Sequence, residues 1–312
     1  MTGQPHHTSA VHAAAIYRTE AELVEAAVPF LTEGAARDDA LILAAGARTA
    51  ATLLPHLPPT ATVTQLEGAY ERPATTIRHL LELLRARPPA AGRVRVVGQV
   101  PDHATQTGWW PWARYEAAAN ALFGEFAFSG LCLYDARSTP PAVVDDVECT
   151  HHTLVLGPEW RPSPRYVDPV TFLRRPAAPG PDSLPSSPPA VELHDPTPAQ
   201  ARRALQQLAV GRMLDAATTD TVVFGVSEAV ANAHLHGTPP VEVRVWVGAD
   251  RLVATVHDTG PGPQDPYAGL VKARGADEVG GYGLWATHQL CDEVVHLRDD
   301  RGFTLRLTVR RR

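Results

Sequence analysis

The sequence has little from which a disulfide framework, a thiolate metal site or a membrane anchor could be built. Its 312 residues include three cysteines, an odd number without Cys-x-x-Cys spacing, so neither a disulfide framework nor a zinc site made of thiols is expected. No run of about 18 apolar residues is present, and residues 1–10 contain neither a basic leader nor an apolar segment. We therefore expect a cytoplasmic protein without a membrane partner.

Lysine is almost absent, because Lys272 is the single lysine among 28 basic residues. A phosphate-binding loop of the Gly-x-x-x-x-Gly-Lys type needs a glycine before its lysine, and Lys272 follows Val271, so this loop is excluded. The net charge is −6 and the arginines are scattered along the chain. This distribution does not predict direct binding to nucleic acid.

The length and the 44% content of hydrophobic residues favour two globular domains. The run RRPAAPGPDSLPSSPP at residues 174–189 is rich in proline, serine and glycine, which is typical of a semi-extended linker. We predict an N-terminal domain at 10–173, a linker at 174–194 and a C-terminal domain at 195–312.

The two halves have different hydrophobic patterns. Before the linker, short apolar runs alternate with helical patterns, which predicts an α/β domain with a mainly parallel sheet. Thr19, three residues before Glu22, predicts a capping box at the start of the first helix. After the linker, helical patterns accompany strands with strict alternation, such as VEVRVWV. This predicts an α+β two-layer sandwich, in which helices cover one face of a mostly antiparallel sheet.

The stretch SEAVANAHLHGT places polar groups within an otherwise apolar helix. Glu228 and Asn232 are four residues apart, so they lie one turn apart on a face that borders the apolar one. Such a pair alone is usually a solvated helix edge. However, a strand further along the chain ends in DTGPG at 258–262, and GGYGL at 280–284 opens another helix. The order and spacing of the three motifs are not easily accidental.

Together these motifs resemble the GHKL or Bergerat nucleotide-binding domain, which gyrase, histidine kinases and mismatch-repair ATPases share. Residues 195–312 are most similar to the small anti-sigma-factor serine kinases of this group. The resemblance implies that ATP and Mg²⁺ bind here, with Asn232 as a metal ligand and Glu228 as the general base. It also implies that Asp258 accepts a hydrogen bond from the adenine amino group.

The same resemblance implies contacts between the nucleotide and the glycine-rich segments. These residues would be Gly260, Gly262, Gly281, Gly283 and Leu284, with the phosphate at the N-terminus of the last helix. Residues 263–279 would form a lid, in which Lys272 and Arg274 are candidate phosphate contacts. His234 and His236 are not expected to be catalytic, since a histidine at a helix C-terminus suits the helix dipole.

The N-terminal half resembles the MEDS sensory domain of bacterial anti-sigma regulators of the RsbA kind. The likeness spans about residues 10–173 and rests on HAAAIYRTEAELVEAAVPFLTEG and on LCLYDAR with the later THH and YVDP. It implies a small-molecule ligand as a candidate partner. Trp109, Trp110 and Trp112 could line a pocket for it, although burial in the core is more frequent. The run Cys149 to His152 could supply half of a metal site, although such clusters are usually incidental.

Three functions remain open from the sequence. The first is a kinase that phosphorylates Ser or Thr of a STAS-type anti-anti-sigma partner and holds a sigma factor, with a second copy of the chain as a candidate partner. The second is a nucleotide-dependent holder of the sigma factor without phosphotransfer. The third, a sensor histidine kinase, fits less well, because no helical hairpin with a phosphoacceptor histidine precedes the ATPase motifs. A gyrase-like or mismatch-repair ATPase is not expected either, because this sequence leaves no room for the second domain of such proteins.

Overall fold

A computed structural model describes residues 10–66, 70–87, 92–177, 187–272 and 282–311. The chain separates into two compact units, Met1–Arg174 and Arg175–Arg312. Residues 178–186 of the predicted linker lie outside the described part of the chain.

The N-terminal unit is built on a seven-stranded sheet of order β3-β2-β4-β5-β1-β6-β7. All neighbouring strands are parallel except β6 and β7, which form an antiparallel pair at one edge. The strands are β1 (Val11–Tyr17), β2 (Ala40–Ala44), β3 (Val63–Gln65), β4 (Val94–Gly98), β5 (Phe128–Asp135), β6 (Thr153–Leu156) and β7 (Glu159–Pro162). The mainly parallel α/β sheet predicted from the sequence is confirmed.

Helices connect the consecutive strands from β1 to β6, and a further helix follows β7. They are α1 (Glu20–Ala36), α2 (Ala47–Leu53), α3 (Pro73–Ala86), α4 (Asp102–Thr107), α5 (Trp109–Leu122), α6 (Pro141–Thr150) and α7 (Pro169–Leu173). Thr19 caps α1 as expected, accepting a hydrogen bond from the Glu22 N–H at 3.1 Å. In a capping box the Glu22 carboxylate would accept from the N–H of Thr19. Here it accepts instead from the N–H of the preceding residue, Arg18, at 2.7 Å.

The tryptophan-rich stretch forms the first turn of α5 and is held by packing. Trp112 is buried and stacks on Tyr70 with ring centroids 5.6 Å apart. Trp110 stacks on Phe172. Trp109 is half-buried and donates a hydrogen bond from Nε1 to Asp146. All three rings therefore have partners within the unit.

The C-terminal unit is a two-layer α+β sandwich, which confirms the predicted fold class. Its sheet has the order β11-β12-β10-β9-β8, and every neighbouring pair is antiparallel. The elements are β8 (Val191–His194), α8 (Pro198–Gly211), α9 (Ala216–His236), β9 (Glu242–Val247), β10 (Arg251–Asp258), α10 (Tyr282–Leu290), β11 (Glu293–Asp299) and β12 (Gly302–Arg310).

Alternation along the strands builds the core between this sheet and α9. In β9, β10 and β12, every second side chain is buried on the face that packs against the helix, as the sequence pattern predicts. From α9 the core receives Val222, Val226, Ala229, Val230 and Ala233, which recur at three- and four-residue steps. Among the described residues, no helix is both long enough and apolar enough to cross a membrane.

Strand β8 lies within the predicted linker but pairs with β9 in the C-terminal sheet. The contact extends further towards the N-terminus, because the Trp246 indole N–H donates to the Ser187 carbonyl at 2.9 Å. The C-terminal sheet therefore depends on chain that precedes the predicted domain boundary at residue 195.

We expect a fragment of residues 175–312 to fold cooperatively, whereas 195–312 should be less stable by about 2 kcal/mol. The shorter fragment lacks Val191 and Leu193, which are partly buried against the core, and each contributes about 1 kcal/mol. Urea unfolding of both fragments, followed by circular dichroism, measures the difference. Equal midpoints and equal slopes would show that β8 contributes nothing to this unit.

Candidate functional site

Helix α9 carries the two polar side chains at the centre of the predicted site. Asp215 caps its N-terminus, accepting from the Thr218 N–H at 2.8 Å. Because the apolar stripe of α9 is buried against the sheet, Glu228 and Asn232 project from the border of that stripe and are both half-buried. They lie four residues apart, which is one turn of the helix. The helix thus offers a carboxylate and a carboxamide side by side.

Asp258, the last residue of β10, is only 4% exposed and ties two loops together. Its Oδ1 accepts hydrogen bonds from the Thr238 N–H at 3.1 Å and from the Gly260 N–H at 2.8 Å. The first donor follows α9 and the second follows β10. Among the described residues both bonds to this carboxylate end on Oδ1, so Oδ2 is the oxygen available to a ligand.

Gly237 also belongs to this arrangement, although its sequence context suggests only a helix end. A Cβ atom at Gly237 would lie about 2.5 Å from the carboxylate of Asp258, which is too close for any side chain. Only the pattern His-x-His-Gly at the end of α9 could have pointed to it. Because the clash is with a residue 21 positions later, the sequence alone does not show it.

Gly260 and Gly262 are required by contacts within the protein. A Cβ at Gly260 would lie 2.7 Å from Asp258 Oδ1 and 3.0 Å from the Thr238 nitrogen. Gly262 has φ of +69°, and a Cβ there would overlap the ring of Phe303. Both glycines therefore shape the loop after β10, whether or not a nucleotide contacts them.

The start of α10 lies directly beside Glu228. Gly283 is in the first turn of this helix, and a Cβ at this position would overlap the Glu228 carboxylate. The free N–H groups of a helix N-terminus attract anions, so the Glu228 carboxylate stands beside the helix end that the sequence predicts as the phosphate site. Leu284 faces inwards and packs against the core. Gly281 lies outside the described residues.

The predicted phosphate contacts in the lid segment are described only in part. Lys272 is exposed, and its ammonium nitrogen lies 4.6 Å from the ring centroid of Trp285 and 5.1 Å from that of Tyr282. This cation–π arrangement holds the lysine above α10. Arg274 and the rest of the segment at 273–279 lie outside the described residues.

The two histidines at the end of α9 have positions that fit structural roles. His234 donates from Nε2 to the Pro196 carbonyl at 2.9 Å, which connects α9 to the segment before α8. His236 is exposed in the last turn of α9, where a cation suits the helix dipole.

The side chains of this site offer oxygen donors to a hard cation and to a nucleotide. The Glu228 carboxylate, the Asn232 amide oxygen and Asp258 Oδ2 have no hydrogen bond from another described side chain. Oxygen donors of this kind suit Mg²⁺, which takes its other ligands from water and phosphate. The donor set therefore fits Mg²⁺ with a nucleotide.

Two families match this chain, one in each half. Residues 11–152 match MEDS, the methanogen/methylotroph, DcmR sensory domain, and residues 195–309 match the histidine kinase-like ATPase domain. The chain therefore combines a MEDS domain with a GHKL-type ATPase domain, and the second implies ATP as a ligand. No curated protein matches the chain.

One similar solved structure is that of the RsbU and RsbW domains of Rv1364c from Mycobacterium tuberculosis. The identity is 21% and the TM-score is 0.29, with 39% of this chain and 33% of that chain covered. The match thus spans about a third of the length of that solved chain.

Two substitutions of Asp258 should show how much stability comes from the two backbone hydrogen bonds that end on Oδ1. In Asp258→Ala two backbone N–H groups lose their acceptor, which should lower the free energy of unfolding by about 1–3 kcal/mol. Asp258→Asn keeps an oxygen at Oδ1 and should change it by less than about 1 kcal/mol. Denaturant unfolding of residues 175–312 measures both. Equal destabilisation of the two variants would contradict the assignment of the two bonds to Oδ1.

Proposed function

We propose that this chain, which joins a MEDS domain to a histidine kinase-like ATPase domain, is an ATP-dependent anti-sigma regulator. It would transfer the γ-phosphate of ATP to Ser or Thr of a STAS-type anti-anti-sigma partner and would sequester a sigma factor in the cytoplasm. One observation supports the proposal most: Glu228 and Asn232 stand one turn apart on α9, with the N-terminus of α10 against Glu228.

Glu228 is the residue we assign to proton transfer. A carboxylate next to the N-terminus of α10 would lie near the terminal phosphate of a nucleotide bound there. It would accept the proton of the attacking Ser or Thr hydroxyl as the oxygen–phosphorus bond forms, while ADP departs with the electrons of the broken bond. When bound, Mg²⁺ neutralises charge on the phosphates, and Asn232 would hold it through its amide oxygen.

Asp258 is the residue we assign to recognition of adenine. Its Oδ1 is engaged by two backbone N–H groups, which fixes the carboxylate plane and leaves Oδ2 as an acceptor. The adenine amino group is a donor, whereas guanine has a carbonyl oxygen at the equivalent position. An acceptor held in a buried setting therefore favours ATP over GTP.

The N-terminal unit would supply the control. A MEDS domain is a sensory domain. Because a proline-rich segment connects it to the ATPase domain, it would regulate phosphotransfer without contributing residues to the reaction. We assign a small-molecule ligand to the N-terminal unit and a second copy of the chain as a further partner of the ATPase domain. The sigma factor and the STAS-type protein follow from the likeness of α9 to anti-sigma-factor kinases.

A holder without phosphotransfer is the second candidate, and the position of Lys272 favours it. Phosphoryl transfer needs positive charge near the transferred group. Lys272, one of two predicted phosphate contacts, lies over the rings of Tyr282 and Trp285. Because these rings hold the ammonium group, it contributes less positive charge to phosphoryl transfer. A protein that only binds the nucleotide depends less on that charge.

Asp258→Asn tests adenine recognition without loss of the two backbone hydrogen bonds. The variant places an amide donor opposite the adenine amino group, so its affinity for Mg-ATP should fall by about 10–100-fold, which corresponds to about 1–3 kcal/mol. Isothermal titration of wild type and variant measures this, with unfolding midpoints as the control for folding. Unchanged affinity in a folded variant would remove Asp258 from the adenine site.

Glu228→Gln and Asn232→Ala should separate chemistry from binding. The glutamine keeps the size of the side chain but not the base, so Mg-ATP should still bind while transfer to the partner falls on the order of 100-fold. Asn232→Ala should instead weaken Mg-ATP binding itself. The matched control is Asp220→Asn, which removes an exposed carboxylate elsewhere on α9.

Transfer is measured with radiolabelled ATP and STAS-type proteins that co-purify with the chain, and sigma-factor binding is measured in parallel. If wild type transfers no phosphate to any such protein, and Glu228→Gln leaves sigma binding unchanged, the kinase proposal is wrong. The holder then replaces it.

A further inference from the structure

The core of the N-terminal unit contains a cluster of four side chains that the proposed function does not use. They are His12 on β1, Glu116 on α5, Cys132 on β5 and His151 at the end of α6. Each is 5% exposed or less, and one ligand atom from each lies within 4.8 Å of the others. We propose that this cluster, the buried His-Glu-Cys-His site, binds a single divalent transition-metal ion of the zinc class.

The hydrogen bonds around His151 direct a lone pair into the cluster. Its Nδ1 lies 2.9 Å from the Val147 carbonyl oxygen, which can only accept, so Nδ1 carries the proton. The other ring nitrogen, Nε2, is then an acceptor. It is buried, has no hydrogen-bond partner among the residues that the structure describes, and lies 3.4 Å from the Glu116 carboxylate, which is also an acceptor.

His12 is held in the same tautomer by Asn120. The Asn120 amide nitrogen donates to the carbonyls of Glu116, Ala117 and Thr150, so its Oδ1 must be the atom that faces His12 Nδ1 at 3.3 Å. Nδ1 therefore carries the proton here as well. His12 Nε2 presents its lone pair 3.1 Å from Glu116 Oε2 and 3.4 Å from Cys132 Sγ.

The two tautomers together present two imidazole lone pairs to the Glu116 carboxyl group. Neutral imidazole, carboxylate and thiolate are the forms in which these residue types bind metals.

A tetrahedral metal centre would bind the two histidine nitrogens and Glu116 Oε2, and a Cys132 thiolate ligand would replace the hydrogen bond that the thiol donates to Glu116 Oε2. Zinc binds nitrogen and oxygen at about 2.0–2.2 Å and sulfur at about 2.3 Å, so its tetrahedral ligands are about 3.3–3.7 Å apart. The pairs of donor atoms that meet at Glu116 Oε2 and His12 Nε2 are 3.1–3.6 Å apart. Three of these four distances, 3.4–3.6 Å, fall within that range and the fourth, 3.1 Å, is slightly shorter. The ligand atoms of the remaining pairs lie within 4.8 Å of each other.

Charge balance selects the class of ion. On binding, the Cys132 thiol releases its proton, so a thiolate, a carboxylate and two neutral imidazoles together carry −2 and neutralise a divalent cation. A neutral assembly can be buried without the cost of an unpaired charge. Thiolate with imidazole suits zinc and related transition metals, whereas Mg²⁺ and Ca²⁺ prefer oxygen ligands throughout.

The surroundings of the ligands are also those of a metal site. Val147 and Asn120 accept from the outer nitrogens of the two histidines, and the Tyr134 hydroxyl donates to Glu116 Oε1 at 2.7 Å. Such partners fix the orientation of ligands in metal proteins. The site joins β1, β5, α5 and the end of α6, so the stability of the N-terminal unit would depend on the availability of the metal.

The first test uses the full-length wild-type protein, stripped with a chelator and titrated with Co²⁺ in the absence of nucleotide. Tetrahedral cobalt with one thiolate should give visible d–d bands and a near-ultraviolet thiolate-to-cobalt band that saturate at about one equivalent. Zn²⁺ should abolish both bands and should raise the melting temperature. A folded wild-type protein that shows no cobalt–thiolate band would overturn the proposal.

Paired serine substitutions test which thiol is the ligand. Cys132→Ser should abolish the thiolate band and weaken Co²⁺ binding more than tenfold. Cys149→Ser is the matched control, because it removes a second buried thiol of the same unit that is outside the cluster, and it should leave the titration unchanged. Retention of the band in Cys132→Ser, or its loss only in Cys149→Ser, would contradict the assignment.

Tyr134→Phe keeps all four ligands and gives an answer even if Cys132→Ser does not fold. Loss of its hydroxyl should weaken metal affinity about 10–100-fold while the thiolate band remains. A purely structural hydroxyl would lower thermal stability and leave the cobalt affinity unchanged. None of these measurements involves ATP, so failure of the proposed function would leave them intact.

Discussion

The C-terminal site depends on one carboxylate oxygen, Oδ1 of Asp258, which holds the loop after α9 against the turn after β10. Thr259 reinforces the junction, because its N–H donates to the Thr238 carbonyl at 2.8 Å and its hydroxyl donates to the Pro239 carbonyl at 3.0 Å. The glycines that allow this close approach have no room for side chains. With the end of α9 fixed to the end of β10, Glu228 and Asn232 occupy set positions relative to Asp258.

Much of this fold follows from patterns that are local in sequence. Alternation in β9, β10 and β12 and the three- and four-residue steps in α9 predict the core correctly, because burial on one face is the main constraint on these elements. The placement of Gly283 beside Glu228 could not be predicted, since it requires packing between segments 55 residues apart. The sequence motifs likewise pointed to Asp258 as a candidate, but they did not show that both of its backbone hydrogen bonds end on Oδ1.

The N-terminal cluster shows a clearer limit of sequence reasoning. His12, Glu116, Cys132 and His151 have no metal-binding spacing, because the parallel pairing of β1 with β5 brings His12 near Cys132, which is 120 positions later, and α5 and the end of α6 supply the other two residues. The register places Ala14 opposite Cys132, so His12 and Cys132 share one face of the sheet. The run Cys149 to His152 contributes only His151, and His152 instead accepts from the His12 N–H.

We propose that the ATPase domain binds nucleotide with the Asp258 carboxylate, at the end of β10, as the acceptor for the adenine amino group. The most direct test is a calorimetric titration of the fragment 175–312 with Mg-ATP and, separately, with Mg-GTP. The account predicts that ATP binds at one site per chain and about 10–100-fold more tightly than GTP, because GTP would place an acceptor against Asp258 Oδ2. Equal affinity for both nucleotides, or no binding by the folded fragment, would contradict it.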